Sequence, residues 1–262
     1  IIALGSSGIL SLTGEVGRQP VSPDVALADI MGGVFAAIGV MSALYEREQT
    51  GVGRHVELDL VGPCMYLMST FFSYYFTSGE IPPPQGGRHI TLVPFGVYPT
   101  KDGYICLGPC WPRIARAVGE GWMIDDPRLA THELRQENRE LLEGTLENAL
   151  RKADTKDWLE ILRVEDIAAA PVNNLEQAVN DPQAVYNKIV VDVEHLGERI
   201  KQIAFPIKVG IEGEYEGAPT LGQHTEEVLR NVLSYPEDKI GAVVKENEEH
   251  AAEIKEHVRR LI

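Results

Sequence analysis

Positive charge is scarce in this chain. Lys and Arg number 24 against 39 Asp and Glu, a formal net charge of −15 at pH 7 with a sequence pI near 4.9. A nucleic-acid surface needs clustered Lys and Arg to neutralise phosphates, and no such cluster is present, so that class of function is set aside. An acidic total still leaves room for a local basic pocket. Cysteine is equally sparse: Cys64, Cys106 and Cys110 form no recognised zinc spacing and leave an odd thiol in any disulfide scheme, so a metal site is not expected and a reduced cytosol is the expected compartment. No signal peptide is visible, and with Ile1 in place of an initiating Met that silence carries no weight. The longest apolar stretch, residues 30–44, is shorter than the ~20 residues a membrane span requires, so a buried core helix is expected there and no membrane partner. Internal repeats and low-complexity segments are missing too.

What is present is enough apolar residue for a sizeable core, 44% of 262 residues, with 24% charged, and hence one or two globular domains. The feature that stands out is Asp29. It is a carboxylate at the mouth of an apolar, Gly- and Ala-rich helical pattern that begins near Leu27 and runs to Leu44. Free N–H groups and the helix macrodipole favour negative charge there. From spacing alone a capping role is the commoner one for an acidic residue in a first turn. Gly32, Gly33, Ala36, Ala37 and Gly39 give the helix a narrow surface that lets another backbone approach, which would hold Asp29 against a wall. Beyond it come a polar helix end, a Gly51-x-Gly53 turn and an alternating, strand-like pattern at 56–60.

The ordered set Ser-Gly-Ile-Leu-Ser-Leu-Thr-Gly at 7–14, Ala28-Asp29, Ala43-Leu44, Arg47, Thr50-Gly51-x-Gly53 and Val56-x-Leu58 resembles the core of the family III CoA-transferases. These are the relatives of formyl-CoA transferase, carnitine CoA-transferase and the α-methylacyl-CoA racemases. Gly86-Gly87-Arg88-His89 followed by Val93-Pro94-Phe95-Gly96-Val97-Tyr98-Pro99-Thr100-Lys101-Asp102-Gly103 is similar to the segment leading into that family's smaller domain. Ala169-Ala170-Pro171-Val172-Asn173 with Asp181-Pro182, and Ala218-Pro219-Thr220-Leu221-Gly222-Gln223-His224-Thr225, are similar to its later motifs. The resemblance covers residues 1 to about 233 and implies an α/β fold: part of a Rossmann-like large domain plus a smaller α+β domain, in an interlocked dimer. Family members begin well upstream with a nucleotide-fold half that supplies most contacts to CoA. The chain therefore reads as the C-terminal portion of such an enzyme, whose front half is unrecorded, cleaved off or a separate polypeptide.

Four regions follow: a large-domain segment with the catalytic helix at 1–60, a linker helix at 61–85, a small domain at 86–185, and a return to the large domain with a charged helical tail at 186–262. Strands are expected at 93–98 and 104–107 around a Lys101-Asp102-Gly103 turn, and helices at 138–152 and 155–164, with Thr155 as the cap. Ile254, Val258 and Leu261 form one apolar stripe of the tail. The aromatic run at 65–76 reads as a packing helix, and His224 as part of a helix entry.

An ionised Asp can attack an acyl-CoA carbonyl with no partner base, so no Ser-His-Asp set is needed. The resemblance implies Asp29 as nucleophile, passing through an aspartyl anhydride and an aspartyl-CoA thioester, with acyl-CoA and a small carboxylic acid as substrates and no metal. Gly86 and Gly87 are candidates for a mobile loop that excludes water from the anhydride, and equally for an ordinary interdomain turn; His89 is a candidate for the acyl-CoA pocket. Two alternatives stay open. One is an acyl-CoA racemase, which needs paired acid and base groups; aligning Gly108 and Pro112 puts Trp111 where the racemases carry Glu. The other is a noncatalytic subunit that works with a partner chain.

Overall fold

The computed structural model describes residues 1–195, 197–207, 215–220 and 222–247, and the chain divides into two compact units, Ile1–Val172 and Asn173–Ile262.

The first unit begins with two short helices, α1 (Ile2–Ser7) and α2 (Ile9–Leu12), separated by Gly8 at φ 93, a left-handed conformation that stops the first helix. The long helix α3 (Leu27–Thr50) follows, then α4 (Val61–Leu67) and α5 (Ser69–Ser78). Leu4, Ile9, Ala28, Cys64 and Met68 form their shared core, with Phe71 and Phe72 packed against it. The aromatic run expected as one helix is thus two, joined at Met68. Asp59 fixes the entry to α4 by accepting the Gly62 N–H at 2.6 Å.

The burial expected for α3 is overturned. Of its 24 residues only Ala28 and Gly32 are buried. Its glycine face does what small residues permit: a Cβ on Gly32 would lie 2.6 Å from Leu60 Cδ2, and one on Gly39 would lie 2.8 Å from Val56 Cγ1. Val56 and Leu60 therefore run along the helix. This packing absorbs the alternating pattern at 56–60, which forms no strand because no neighbouring strand among the described residues offers it a ladder. At 100° per residue Ile30, Val34, Ile38, Met41 and Tyr45 fall on the opposite face, and all five are exposed. The apolar stretch also continues as helix through a polar end, so by length and composition α3 is long enough to cross a membrane, a property that core helices share.

The rest of the first unit is built on a three-stranded antiparallel sheet, β1 (Gly96–Pro99), β2 (Tyr104–Leu107) and β3 (Ala169–Pro171), in that order. β1 and β2 form the expected hairpin, with Gly96 opposite Leu107 and Pro99 opposite Tyr104. Between β2 and β3 the chain makes α6 (Arg113–Ala117), α7 (Trp122–Asp125), α8 (His132–Glu137), α9 (Arg139–Leu150) and α10 (Thr155–Val164). Leu142, Leu146, Ala149 and Leu150 recur at helical spacing on α9 and are fully buried, together with Tyr98, Ile105, Leu107 and Leu162. The Trp158 indole closes the α9–α10 corner by donating to the Leu150 carbonyl at 2.6 Å.

Thr155 does not cap α10; it is the first helical residue and Asp154 occupies the cap position. The capping acceptor comes from the hairpin turn. Asp102 Oδ1 accepts the Thr155 N–H at 2.7 Å and the Thr155 hydroxyl at 2.8 Å. The Asp-Gly turn thereby joins the sheet to the helix end.

In the second unit α11 (Leu175–Val179) starts with a capping box between Asn174 and Gln177, and α12 (Pro182–Tyr186) is capped by Asp181 with Pro182 in its first turn. A hairpin of β4 (Val190–His195) and β5 (Glu198–Ile203) pairs Val190 with Ile203 and His195 with Glu198. A short helical turn, α13 (Thr225–Glu227), precedes a helix at 237–247 that buries Ile240. The stripe of Ile254, Val258 and Leu261 lies outside the described residues.

Leu146→Ala removes a fully buried α9 side chain and is expected to lower unfolding stability by roughly 2–5 kcal/mol in urea titrations. The Asp102 carboxyl is held below its ordinary value, first by the Thr155 N–H and then by the Thr155 hydroxyl. A carboxyl depressed in the folded state contributes stability above its unfolded value, ~3.9, and loses it as pH falls through the folded one. Melting temperature should therefore fall in acid, and Asp102→Asn should lower it at neutral pH while flattening that acid limb.

Candidate active site

Asp29 occupies the first turn of α3, two residues inside a helix whose N-cap, Ala26, has no side chain to offer the free N–H groups. The carboxylate is exposed and makes no ion pair or hydrogen bond among the described residues. A charge this free retains its nucleophilic oxygen lone pairs, whereas a bidentate partner would occupy them.

The Gly86-Gly87-Arg88-His89 segment lies elsewhere in the first unit, strapped across the sheet edge and α9. Gly86, at φ 60, donates its N–H to the Gly14 carbonyl at 2.7 Å. Gly87 O accepts the Val97 N–H at 2.8 Å, which brings the segment onto β1. This approach needs glycine at 96: a Cβ there would sit 2.4 Å from Gly87 O, at a φ of 153 that L residues rarely adopt.

Arg88 then turns inward. Its Nε lies 3.2 Å from Glu143 Oε2, its Nη2 2.5 Å from Glu147 Oε1, and its guanidinium carbon 3.8 Å above the centre of the Tyr98 ring. The Tyr98 hydroxyl donates to the other Glu143 oxygen at 3.2 Å. The Arg88 and Glu143 side chains are only 16% and 12% exposed, so little water screens the pair. Burial, and next the neighbouring Glu143 carboxylate, push the Tyr98 hydroxyl well above its usual range, keeping it a donor. From the opposite side Arg139 donates to the His89 carbonyl at 3.0 Å from both terminal nitrogens and to the Ile90 carbonyl at 3.1 Å, while Gln136 donates to the Ile90 and Thr91 carbonyls.

His89 is used locally. Its Nδ1 accepts the N–H groups of Thr91 at 3.2 Å and Leu92 at 3.0 Å, and its ring stacks on Phe95 at 4.8 Å and 8°. Gly86, Gly87 and Arg88 line a cavity of about 510 Å³ with Tyr104, Arg139 and Arg151; His89 does not line it. A second, apolar cavity of about 190 Å³ lies among Gly8, Leu12, Met68, Phe71, Phe72 and Tyr75. Asp29 lines neither.

The clamp of Arg88, Tyr98, Glu143 and Glu147 was not foreseen. Its signal was two glutamates four residues apart, each immediately following a residue of the apolar stripe (Leu142, Leu146), and hence bordering the core. Trp111, at the racemase Glu position, packs against the larger core under the Arg135 guanidinium at 5.3 Å and offers no group that could carry a proton to or from carbon. Burial raises the Cys110 thiol to about 12, which leaves it no thiolate at neutral pH. Among the described residues no three His, Cys, Asp or Glu side chains converge on one point.

Residues 1–225 match CoA-transferase family III, and the chain belongs to that family, whose members named below transfer CoA. It is 27% identical to human succinyl-CoA:glutarate CoA-transferase, across 95% of this chain and 60% of the human protein. It is 28% identical to acetyl-CoA:oxalate CoA-transferase of Acetobacter aceti, across 91% and 62%. Among solved structures it resembles a CAIB/BAIF family protein from Brucella suis, with a TM-score of 0.74 and 26% identity over 87% of this chain and 61% of that one. The chain thus spans about 60% of the length of the relatives it matches.

His89→Ala leaves two backbone N–H groups without their acceptor and removes the Phe95 stack, and is expected to cost about 1–2 kcal/mol in thermal or urea unfolding. An unchanged stability would show that the turn at 89–95 holds without the ring.

Proposed function

We propose that Asp29 is the covalent nucleophile of an enzyme that transfers coenzyme A between an acyl-CoA and a small carboxylic acid. The observation that carries this reading is a carboxylate with no internal partner, at the N-terminal turn of a long helix, in a chain of family III. One Asp29 oxygen attacks the acyl carbonyl and CoA leaves as thiolate, giving a mixed anhydride. The thiolate returns to the aspartyl carbonyl, releasing the donor acid and leaving an aspartyl-CoA thioester. The incoming carboxylate then attacks that thioester and again expels the thiolate. Attack of the thiolate on the acceptor's own carbonyl in the second anhydride forms the new acyl-CoA and frees Asp29. No proton moves between carboxylates and thiolate in any of these steps, so no partner base is required. Gly86 and Gly87 belong to the wall of the acyl-CoA pocket in this reading, a role supported by the family match of their segment, since the 510 Å³ cavity they line does not include Asp29.

The relatives described above are named for glutarate and oxalate, which supports a dicarboxylic acid as acceptor. Those relatives are longer, and the reaction is assigned to an assembly of this chain with a CoA-binding portion, two such sets forming a homodimer. The exposed stripe on α3 supports a covering partner surface. Free thiols at Cys64, Cys106 and Cys110 support a cytosolic location.

The test is chemical trapping. Incubating the assembly with acyl-CoA and hydroxylamine should convert Asp29 to its hydroxamate, read by peptide mass spectrometry, and Asp29→Asn should lose the label and roughly 10⁴-fold or more in turnover. Deuterium uptake at the substrate α-carbon without an acceptor acid would instead identify a racemase. An assembly that turns over acyl-CoA with Asp29 unlabelled would assign this chain a noncatalytic role.

A further inference from the structure

Ala28 and Gly32, the two buried residues of α3, bracket Asp29. A single corner of the chain, the entry to α4, covers both. Cys64 shares a core with Ala28, Leu60 fills the space beside Gly32, and one turn further on the Tyr66 ring meets Phe35 edge-on with centroids 5.4 Å apart. Asp59 anchors this corner by accepting the Gly62 N–H. The first turn of α3 has no capping side chain to steady it, since its N-cap is Ala26, so packing against the corner is what fixes its place.

Leu60 sets the height of the helix. A Cβ at position 32 would lie 2.6 Å from Leu60 Cδ2, so the side chain fits only while glycine stands opposite it. Sliding α3 by one turn would bring up Ala28 or Asp29 from one direction, and Phe35 or Ala36 from the other. Each of these carries the Cβ for which there is no room. Asp29 is three residues from Gly32, about 4.5 Å along the axis, and is therefore held by the same contact. A reacting atom displaced by about 1 Å can slow its reaction about 10²-fold. We propose that Leu60 is a positioning residue for the nucleophile: wedged against Gly32, it keeps the first turns of α3 at the one height at which an Asp29 oxygen meets the acyl carbonyl. The catalytic part of this inference rests on the function proposed above; the wedge does not.

Leu60 is itself 43% exposed, so truncating it should leave the fold standing. In the 262-residue chain, Leu60→Ala should raise hydrogen exchange about fivefold at Ile30, whose N–H donates to the Ala26 carbonyl at 2.9 Å, with the α9 amides unchanged. Adding Gly32→Ala refills the space and should restore protection. Adding Gly33→Ala should not, because a Cβ there meets open space and contributes helix propensity alone. Unaltered exchange, a uniform rise across the unit, or equal rescue by the two glycine variants overturns the wedge. Should Leu60→Ala fail to fold, Leu60→Val is read in the same way. In the assembly, Leu60→Ala should slow both hydroxamate formation at Asp29 and kcat about tenfold, with a smaller change in the acyl-CoA KM, and Gly32→Ala should restore both rates. Unslowed labelling beside altered exchange overturns the positioning role and leaves the wedge standing. An unsubstituted assembly that turns over with Asp29 unlabelled overturns the transferase reading and the positioning role with it, while the wedge still stands or falls by exchange.

Discussion

The polar architecture of the first unit depends on one guanidinium placed between two carboxylates. Arg88 joins three things that the chain order keeps apart: the Gly86-Gly87 segment, the first sheet strand through Tyr98, and the α9 helix. A buried charge of this kind is stable only while all its partners are present, so their relative positions are fixed together or lost together. Gly96 is the steric counterpart of that electrostatic constraint. A side chain there would collide with Gly87 O, and the strap could not lie close enough for Arg88 to reach α9.

Local pattern made much of this fold legible, and the failures have a common cause. The hairpin around Asp102-Gly103 and the helix Thr155–Val164 followed from turn chemistry and a helical apolar stripe, both of which are local. The cap of α10 was misplaced because its acceptor comes from a residue more than fifty positions upstream, and no local rule reports that. The strand at 56–60 and the burial of α3 were misread for the same reason. Alternation says that a segment has one apolar face; it does not say whether a strand or a glycine-faced helix will receive it.

The candidate site divides along the same line. Asp29 was legible as a carboxylate at a helix mouth, and the Gly86-Gly87 pair as a backbone singularity. The side chains that organise the second of these, Glu143 and Glu147, looked like the solvated border of an amphipathic helix. Only the fold brings Arg88 to them. Nor do the described residues bring Asp29 and the glycine pair onto one cavity, so the two elements are separate endowments of the same unit. Family membership is a property of the chain as a whole, and the part either element plays in CoA transfer belongs to the function proposed above.

The α3 helix carries Asp29 on its first turn and an uncovered row of Ile30, Val34, Ile38, Met41 and Tyr45 along its length. Covering that row withdraws several large side chains from water, each worth about 1.5–3 kcal/mol when fully buried, and the gain is greatest when the whole helix is engaged from its first turn onward. A free carboxylate and an uncovered apolar row are thus carried on a single rod. A surface that docked along the row would end beside the carboxylate, so whatever covers the helix would also set what that oxygen meets.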